Sequence, residues 1–209
     1  MNDYLKKGWF PYKSKHGPTV TAMQVPGVYD VFLKLFNQVK FDTVIEIGTA
    51  QGGTTLITRD ALDESGNEDC LLVSYDPGTT KRFFKRYVDE GRVTKLEENL
   101  FTKGYTELNP NSSVKKYLSK TGKNLILCDG GCKFREFNTL SPLLKSGDFI
   151  MAHDYAKSVE YFNSHIKNKI WNWHEIDFSK IKKAFEDNNL EFFMEEDFDK
   201  HVWLCARKL

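Results

Sequence analysis

The chain has 209 residues and a mass of 24.2 kDa, the size of one domain built around a single core. Lys and Arg number 30 against 29 Asp and Glu, a net charge of +1, which excludes the broad basic field that coats a nucleic acid. With 40% apolar and 28% charged residues the composition is that of a folded globular chain, and its apolar runs, such as 124–128 and 149–152, fall far short of the roughly 20 residues that span a bilayer.

Residues 1–11 mix charge with aromatics where a secretory signal needs a clean apolar run, so the expected location is cytoplasmic. Cys70, Cys128, Cys132 and Cys205 are too few and too scattered for a disulfide framework and are expected to be reduced. Cys128 and Cys132 lack a second Cys or His pair at zinc-finger distance, which argues against structural zinc.

From about residue 26 onward, short apolar runs alternate with stretches of helical period, the pattern of parallel strands joined by crossover helices. Val28, Val31, Phe32, Leu35 and Phe36 share one face of a helix expected over 28–39, just after Pro26-Gly27. A β-branched strand over 43–47 stops at Gly48-Thr-Ala-Gln-Gly-Gly53 and leads into a helix over 54–62. A second buried strand, 70–75, ends at Asp76-Pro77-Gly78, and a basic helix is expected over 81–90. A more polar strand over 92–96 and a helix over 114–120 follow. The strand 124–128 ends in Asp129-Gly130-Gly131, a helix over 136–145 is interrupted near Pro142, and the strand 148–152 ends in His153-Asp154-Tyr155. A helix over 178–188 closes the series with strands 191–194 and 201–206, joined by an acidic turn over 195–200 and near enough in sequence to pair antiparallel. The segment 156–176, with Trp171, Trp173 and His174, is either a lid or binding loop or an extra packed helix; neither reading prevails.

Two stretches carry chemistry. Glu46, Gly48, Thr49, Gly52 and Gly53 lie where a buried strand turns through glycines into a helix, a geometry that lets backbone approach a ligand and points helix N–H groups at it. Asp76, at the end of the next strand, either accepts the hydroxyls of a ribose or closes an Asx turn before Pro77. The glycines do not spell G-x-G-x-x-G, which speaks against a nicotinamide-dependent oxidoreductase. Asp129 and Asp154 then bring two carboxylates to strand ends on the same sheet edge, where they would suit a hard cation such as Mg²⁺, with His153 beside them as a proton acceptor.

The acidic residue two positions before G-x-x-x-G resembles motif I of the class I S-adenosylmethionine-dependent methyltransferases. The pair "strand-D-G … L-L-K-x-G-D-x-I-x-x-H-D" resembles the group that includes cephalosporin hydroxylase and the macrocin and rhamnosyl O-methyltransferases, over roughly residues 24–155. The resemblance implies an α/β, Rossmann-like fold: a mostly parallel seven-stranded sheet, helices on both faces and a C-terminal antiparallel strand pair. It implies one domain over 28–209, with residues 1–27 extending over the cofactor site. S-adenosylmethionine would be held by Glu46, Gly48, Thr49, Gly52, Gly53, Asp76, Asn99 and Asp129. Asp129, His153 and Asp154 would be catalytic, and Asp129 and Asp154 would be the metal ligands if Mg²⁺ takes part. The expected reaction is O-methylation of a small-molecule hydroxyl, with a catalytically altered S-adenosylmethionine-binding protein as the alternative. Relatives in that group often carry a histidine and a further acid where this chain has Cys132 and then Glu136 and Asn138, the two candidate substitutes for that acid, so the metal role stays open. Lys133 and Arg135 read as a solvated basic loop rather than as contacts to an anionic substrate, and Gln24 as a surface residue rather than one facing the cofactor from a folded-over N-terminal segment. Neither the acceptor nor the oligomeric state is encoded in any of these patterns.

Overall fold

Parallel neighbours require crossovers, and the computed structural model, which describes residues 8–15, 17, 19–78 and 90–209, threads seven strands through one sheet in this way. An antiparallel hairpin, β1 (Phe10–Lys13) and β2 (Thr19–Ala22), precedes α1 (Val28–Gln38). Then come β3 (Thr43–Ile47), α2 (Gly53–Glu64), β4 (Leu71–Tyr75) and β5 (Thr94–Leu96). A two-residue pair, β6 (Phe101–Thr102) with β7 (Glu107–Leu108), leads to α3 (Val114–Leu118), β8 (Asn124–Cys128), α4 (Lys133–Leu140) and β9 (Phe149–His153). After β9, β10 (Tyr155–Ala156) pairs in parallel with β11 (Ile176–Asp177) across a segment holding α5 (Val159–Tyr161) and a π-helical turn, Phe162–Ile166. The chain ends with α6 (Phe178–Asp187), β12 (Leu190–Phe192), α7 (Glu195–Asp199) and β13 (Trp203–Lys208).

The sheet order is β12-β13-β9-β8-β3-β4-β5, and only β13 runs against its neighbours. Strand residues alternate between two cores, because successive side chains of a strand leave opposite faces. Val44, Leu72, Leu125, Leu127 and Met151 pack with α1 and α2 on one face. Ile45, Val73, Ile126, Ile150 and Ala152 pack with α3, α4 and α6 on the other. In α1, Val28, Val31, Phe32, Leu35 and Phe36 are all buried; burying each is worth roughly 1.5–3 kcal/mol, which is why the stripe fixes the helix against the sheet.

Several boundaries move for local reasons. The helix expected from 136 begins at Lys133, because Glu136 accepts the N–H groups of Gly130 and Cys132 at 3.1 and 3.0 Å and so satisfies the donors of the preceding turn. Pro142 sits in a 3₁₀ turn, Ser141–Leu143, rather than in a helix. The acidic turn after β12 is the short helix α7, with Phe198 buried under it. The segment 156–176 contains both a helical turn and wall residues of the cleft described below, so each of its two readings holds in part. The basic helix expected over 81–90 lies, apart from Glu90, outside the described residues. The hairpin β1–β2 and the pairs β6–β7 and β10–β11 carry no periodic signal and were not expected, since strands of two to four residues are too short to show one. No described helix is long and apolar enough to cross a membrane. The four cysteines are free thiols.

Candidate active site

Because β3, β4, β8 and β9 run parallel and pair Ile47 with Tyr75, Ile47 with Cys128, and Cys128 with Ala152, the next residue of each strand falls in one row. That row is Gly48, Asp76, Asp129 and His153. It floors a cleft of about 480 Å³ at the carboxyl edge of the sheet, within the range of small-molecule sites. The chain reverses direction here: β4 lies on one side of β3 and β8 on the other, the topological switch at which such sheets bind ligands.

Gly48 has φ +91°, and a Cβ there would stand 2.7 Å from the Cα of Gly130, so glycine is what lets the β3 and β8 turns close on each other. Thr49, Ala50, Gln51 and Gly53 continue the cleft wall into the start of α2. Gly52 does not line it; at φ +78° it turns the chain into the helix.

Glu46 also lies off the wall. Its side chain is fully buried beneath the glycine turn, where Oε2 accepts from Thr55 Oγ1 and Ser74 Oγ, each at 2.5 Å, while Oε1 has no hydrogen-bond partner. Burial pushes its carboxyl up to about 8, helped by Asp129 and Asp76 nearby and opposed by the two hydroxyls. Where a direct contact with the cofactor was expected, Glu46 supports the turn from below.

Asp76 lines the cleft and closes the expected Asx turn, its Oδ1 accepting from Gly78 N at 2.7 Å, while Oδ2 accepts from Ala50 N at 3.0 Å. Asn99, Leu100 and Phe101 form the adjacent wall, and the Asn99 Oδ1 accepts from Phe101 N. An apolar slot thus opens beside a carboxylate.

Deeper in the cleft, Asp129 Oδ1 lies 3.0 Å from His153 Nδ1, and Oδ2 accepts from Gln24 Nε2 at 2.9 Å and Thr54 Oγ1 at 3.1 Å. His153 stacks on Trp203 at 4.9 Å between ring centres, and its Nε2 is buried without a hydrogen-bond partner. Asp154 adopts φ +58°, a left-handed conformation that aspartate tolerates better than most residues and that breaks the strand at β9's end. Its Oδ1 accepts from Trp171 Nε1 at 2.5 Å and its Oδ2 pairs with Lys133 Nζ at 3.0 Å. Burial alone would raise the Asp154 carboxyl; His153 and Lys133 outweigh it and hold the group below its usual value.

The structure corrects three readings of individual residues. Lys133 is no solvated loop residue but is 8% exposed and ion-paired in the cleft wall. Gln24 is 1% exposed and clamps three elements, its Oε1 accepting from Trp203 Nε1 at 2.8 Å. Of the two proposed stand-ins for a further metal ligand, Glu136 is spent on the Gly130–Cys132 turn, and Asn138 faces away, donating to the carbonyl of Lys180. Arg135 is exposed and donates to the Gly104 carbonyl, outside the cleft. Trp9, Thr21 and Met23 bring the N-terminal segment onto the cleft rim, where Trp9 stacks on Trp173 at 6.2 Å. His174 packs on Phe162 and stands outside the cleft.

The donor set decides whether Mg²⁺ fits. Each oxygen of Asp129 and Asp154 already has a side-chain partner, and one of those partners is an ammonium. Among the described residues no group of three His, Cys, Asp or Glu side chains is arranged to hold a metal ion. A divalent cation bound by Asp129 and Asp154 does not fit this arrangement.

No protein-family model matches the chain, and no curated protein matches it significantly. Solved structures do. An apo form of CmcI (N160) aligns with 90% of this chain and 73% of its own at 15% identity and a TM-score of 0.58. CmcI in its D160 form with Mg and SAM aligns over 94% and 76% at 16% identity and a TM-score of 0.58. The SAH-bound methyltransferase PaMTH1 of Podospora anserina aligns over 87% and 78% at 15% identity and a TM-score of 0.53. The seven-stranded order with one reversed strand is therefore a Rossmann-like fold that this chain shares with CmcI, solved with Mg and SAM, and with the SAH-bound methyltransferase PaMTH1.

Proposed function

We propose that the chain is an S-adenosylmethionine-dependent methyltransferase acting on a hydroxyl of a small molecule. The observation that carries this reading is the row Gly48, Asp76, Asp129 and His153 at one end of four parallel strands, which sets a glycine turn, a ribose-type carboxylate and a carboxylate–imidazole pair around one cleft. The CmcI and PaMTH1 structures support the choice of cofactor, since they contain SAM or SAH on the same fold.

The sulfonium of the cofactor is an activated methyl donor, so the protein's part is to align the acceptor oxygen and take its proton. In this reading Asp76 accepts the two ribose hydroxyls and Leu100 and Phe101 face the base; that all three line one cleft supports it. Thr49 and the backbone of 48–51 border the methionine end. Asp129, through its contact with Nδ1, fixes the His153 ring and favours the tautomer whose lone pair lies on Nε2. The Asp129–His153 pair then serves as proton acceptor while the oxygen–carbon bond forms and the carbon–sulfur bond breaks. Trp9, Trp171 and Trp173 wall the acceptor side.

Isothermal titration with S-adenosylmethionine tests the first half: micromolar binding is expected, and its absence removes the reading. Formation of S-adenosylhomocysteine with candidate hydroxyl acceptors tests the second. Binding without turnover on any acceptor would favour the catalytically altered binding protein instead.

A further inference from the structure

Lys133 begins α4, four positions after Asp129, and its stem runs into the cleft wall so that the ammonium is almost wholly buried. Nζ meets three oxygens: Asp154 Oδ2 at 3.0 Å, Glu175 Oε2 at 3.0 Å and the Gly130 carbonyl at 3.1 Å. An ammonium has three protons, and all three are used. The separations are those of N–H···O bonds and well outside the roughly 2.0–2.6 Å of Mg²⁺ or Ca²⁺ to oxygen. Two carboxylates stand within hydrogen-bond distance of Nζ, a charge-assisted pairing that favours the ammonium form. The positive charge is therefore enclosed and held against Asp154, one of the two carboxylates at which a hard cation was expected.

We infer that the Lys133 ammonium is the resident cation of this cleft, built into the chain in place of a divalent metal ion. The carboxylates of Asp154 and Glu175 are its ligands, and Gly130, on the turn after Asp129, supplies the third oxygen. A buried carboxylate needs a partner charge, and here a covalently tethered one is present at all metal concentrations. The tethered cation and Trp171 thus occupy both oxygens of Asp154, and neither Glu136 nor Asn138 offers Mg²⁺ a further ligand. As an account of catalysis this rests on the methyl-transfer reading; as an account of what neutralises Asp154 it does not.

The test is a titration of the full chain with Mn²⁺, read by the paramagnetic resonance of the free ion, together with thermal melting in the presence and absence of Mn²⁺. Wild type is expected to leave Mn²⁺ free at about 1 mM and to melt at the same temperature with or without it. Lys133→Gln uncovers the carboxylates; it is expected to melt lower, to take up one Mn²⁺ per chain, to regain melting temperature with the metal, and to lose all three effects when combined with Asp154→Asn. Saturable uptake by wild type that Asp154→Asn abolishes would overturn the inference, and so would a cooperatively melting Lys133→Gln that takes up no Mn²⁺. Should Lys133→Gln not fold, the wild-type titration and its Asp154→Asn control decide alone. S-adenosylmethionine is titrated in the same preparations: loss of that binding would remove the methyltransferase reading and leave the metal result standing.

Discussion

Gln24 Nε2 lies 2.9 Å from Asp129 Oδ2, joining residues 105 positions apart in the chain. Through its other contacts, with Thr54 and Trp203, the same amide ties the segment before α1 to α2 and β13. The N-terminal segment is thereby part of the cleft's wall, and the orientation of the β8 carboxylate depends on it.

Replacing Gln24 by Leu leaves Trp203 Nε1 and the carboxylate of Asp129 short of a buried partner. The expected loss is about 1–3 kcal/mol of unfolding free energy, since each orphaned buried group costs its desolvation. Urea denaturation measures it, and a variant as stable as wild type would show that the clamp is dispensable.

Glu46 makes stability depend on pH in an unusual direction. Its buried carboxyl keeps its proton up to about 8, whereas the unfolded chain releases it near 4.5. Between those values the folded state binds the extra proton, so this group's stabilising contribution is complete below about 4.5 and is lost as pH rises toward 8. Glu46→Gln, neutral at every pH, should flatten that decline. Melting curves across the window compare the two, and parallel profiles would count against the assignment.

Asp76→Ala should weaken S-adenosylmethionine binding by about 10- to 100-fold, the worth of roughly 1.5–3 kcal/mol in hydrogen bonds to a charged group. Calorimetric titration reads the change. The Asx turn at Gly78 is lost as well, so the circular dichroism spectrum is recorded alongside to confirm an intact fold.

In Asp129→Asn the shape is kept and the charge facing His153 is removed. Turnover is expected to fall by about 100-fold or more while cofactor binding survives, because proton transfer commonly contributes that much. Steady-state rates of S-adenosylhomocysteine formation check this; an unaltered rate removes Asp129 from the proton-accepting pair.

Much of the framework was legible in the amino-acid order. Thr43–Ile47 and Asn124–Cys128 are continuous apolar, strand-forming runs that end at glycines, and the structure reproduces both limits. Parallel strands joined by crossovers all end on one edge, so the gathering of Gly48, Asp76, Asp129 and His153 follows from pattern alone. Side-chain partners did not follow. The family resemblance makes Glu46 a cofactor ligand, yet only the packing of Thr55 and Ser74 shows that its carboxyl lies under the turn. Gln24 and Lys133 carry no period or motif that separates them from surface residues.

The sequence by itself therefore determined the strands, their helices and the edge on which the polar strand ends collect, because those depend on local periodicity and on the handed geometry of crossovers. Only the tertiary structure decided which charges face each other there: that Asp154 and Glu175 converge on Lys133, that Trp171 caps the other oxygen of Asp154, and that Gln24 holds Asp129. Such pairings join positions distant in the chain, and they exist because burying a charge or a polar amide is favourable only when the fold brings a partner to it.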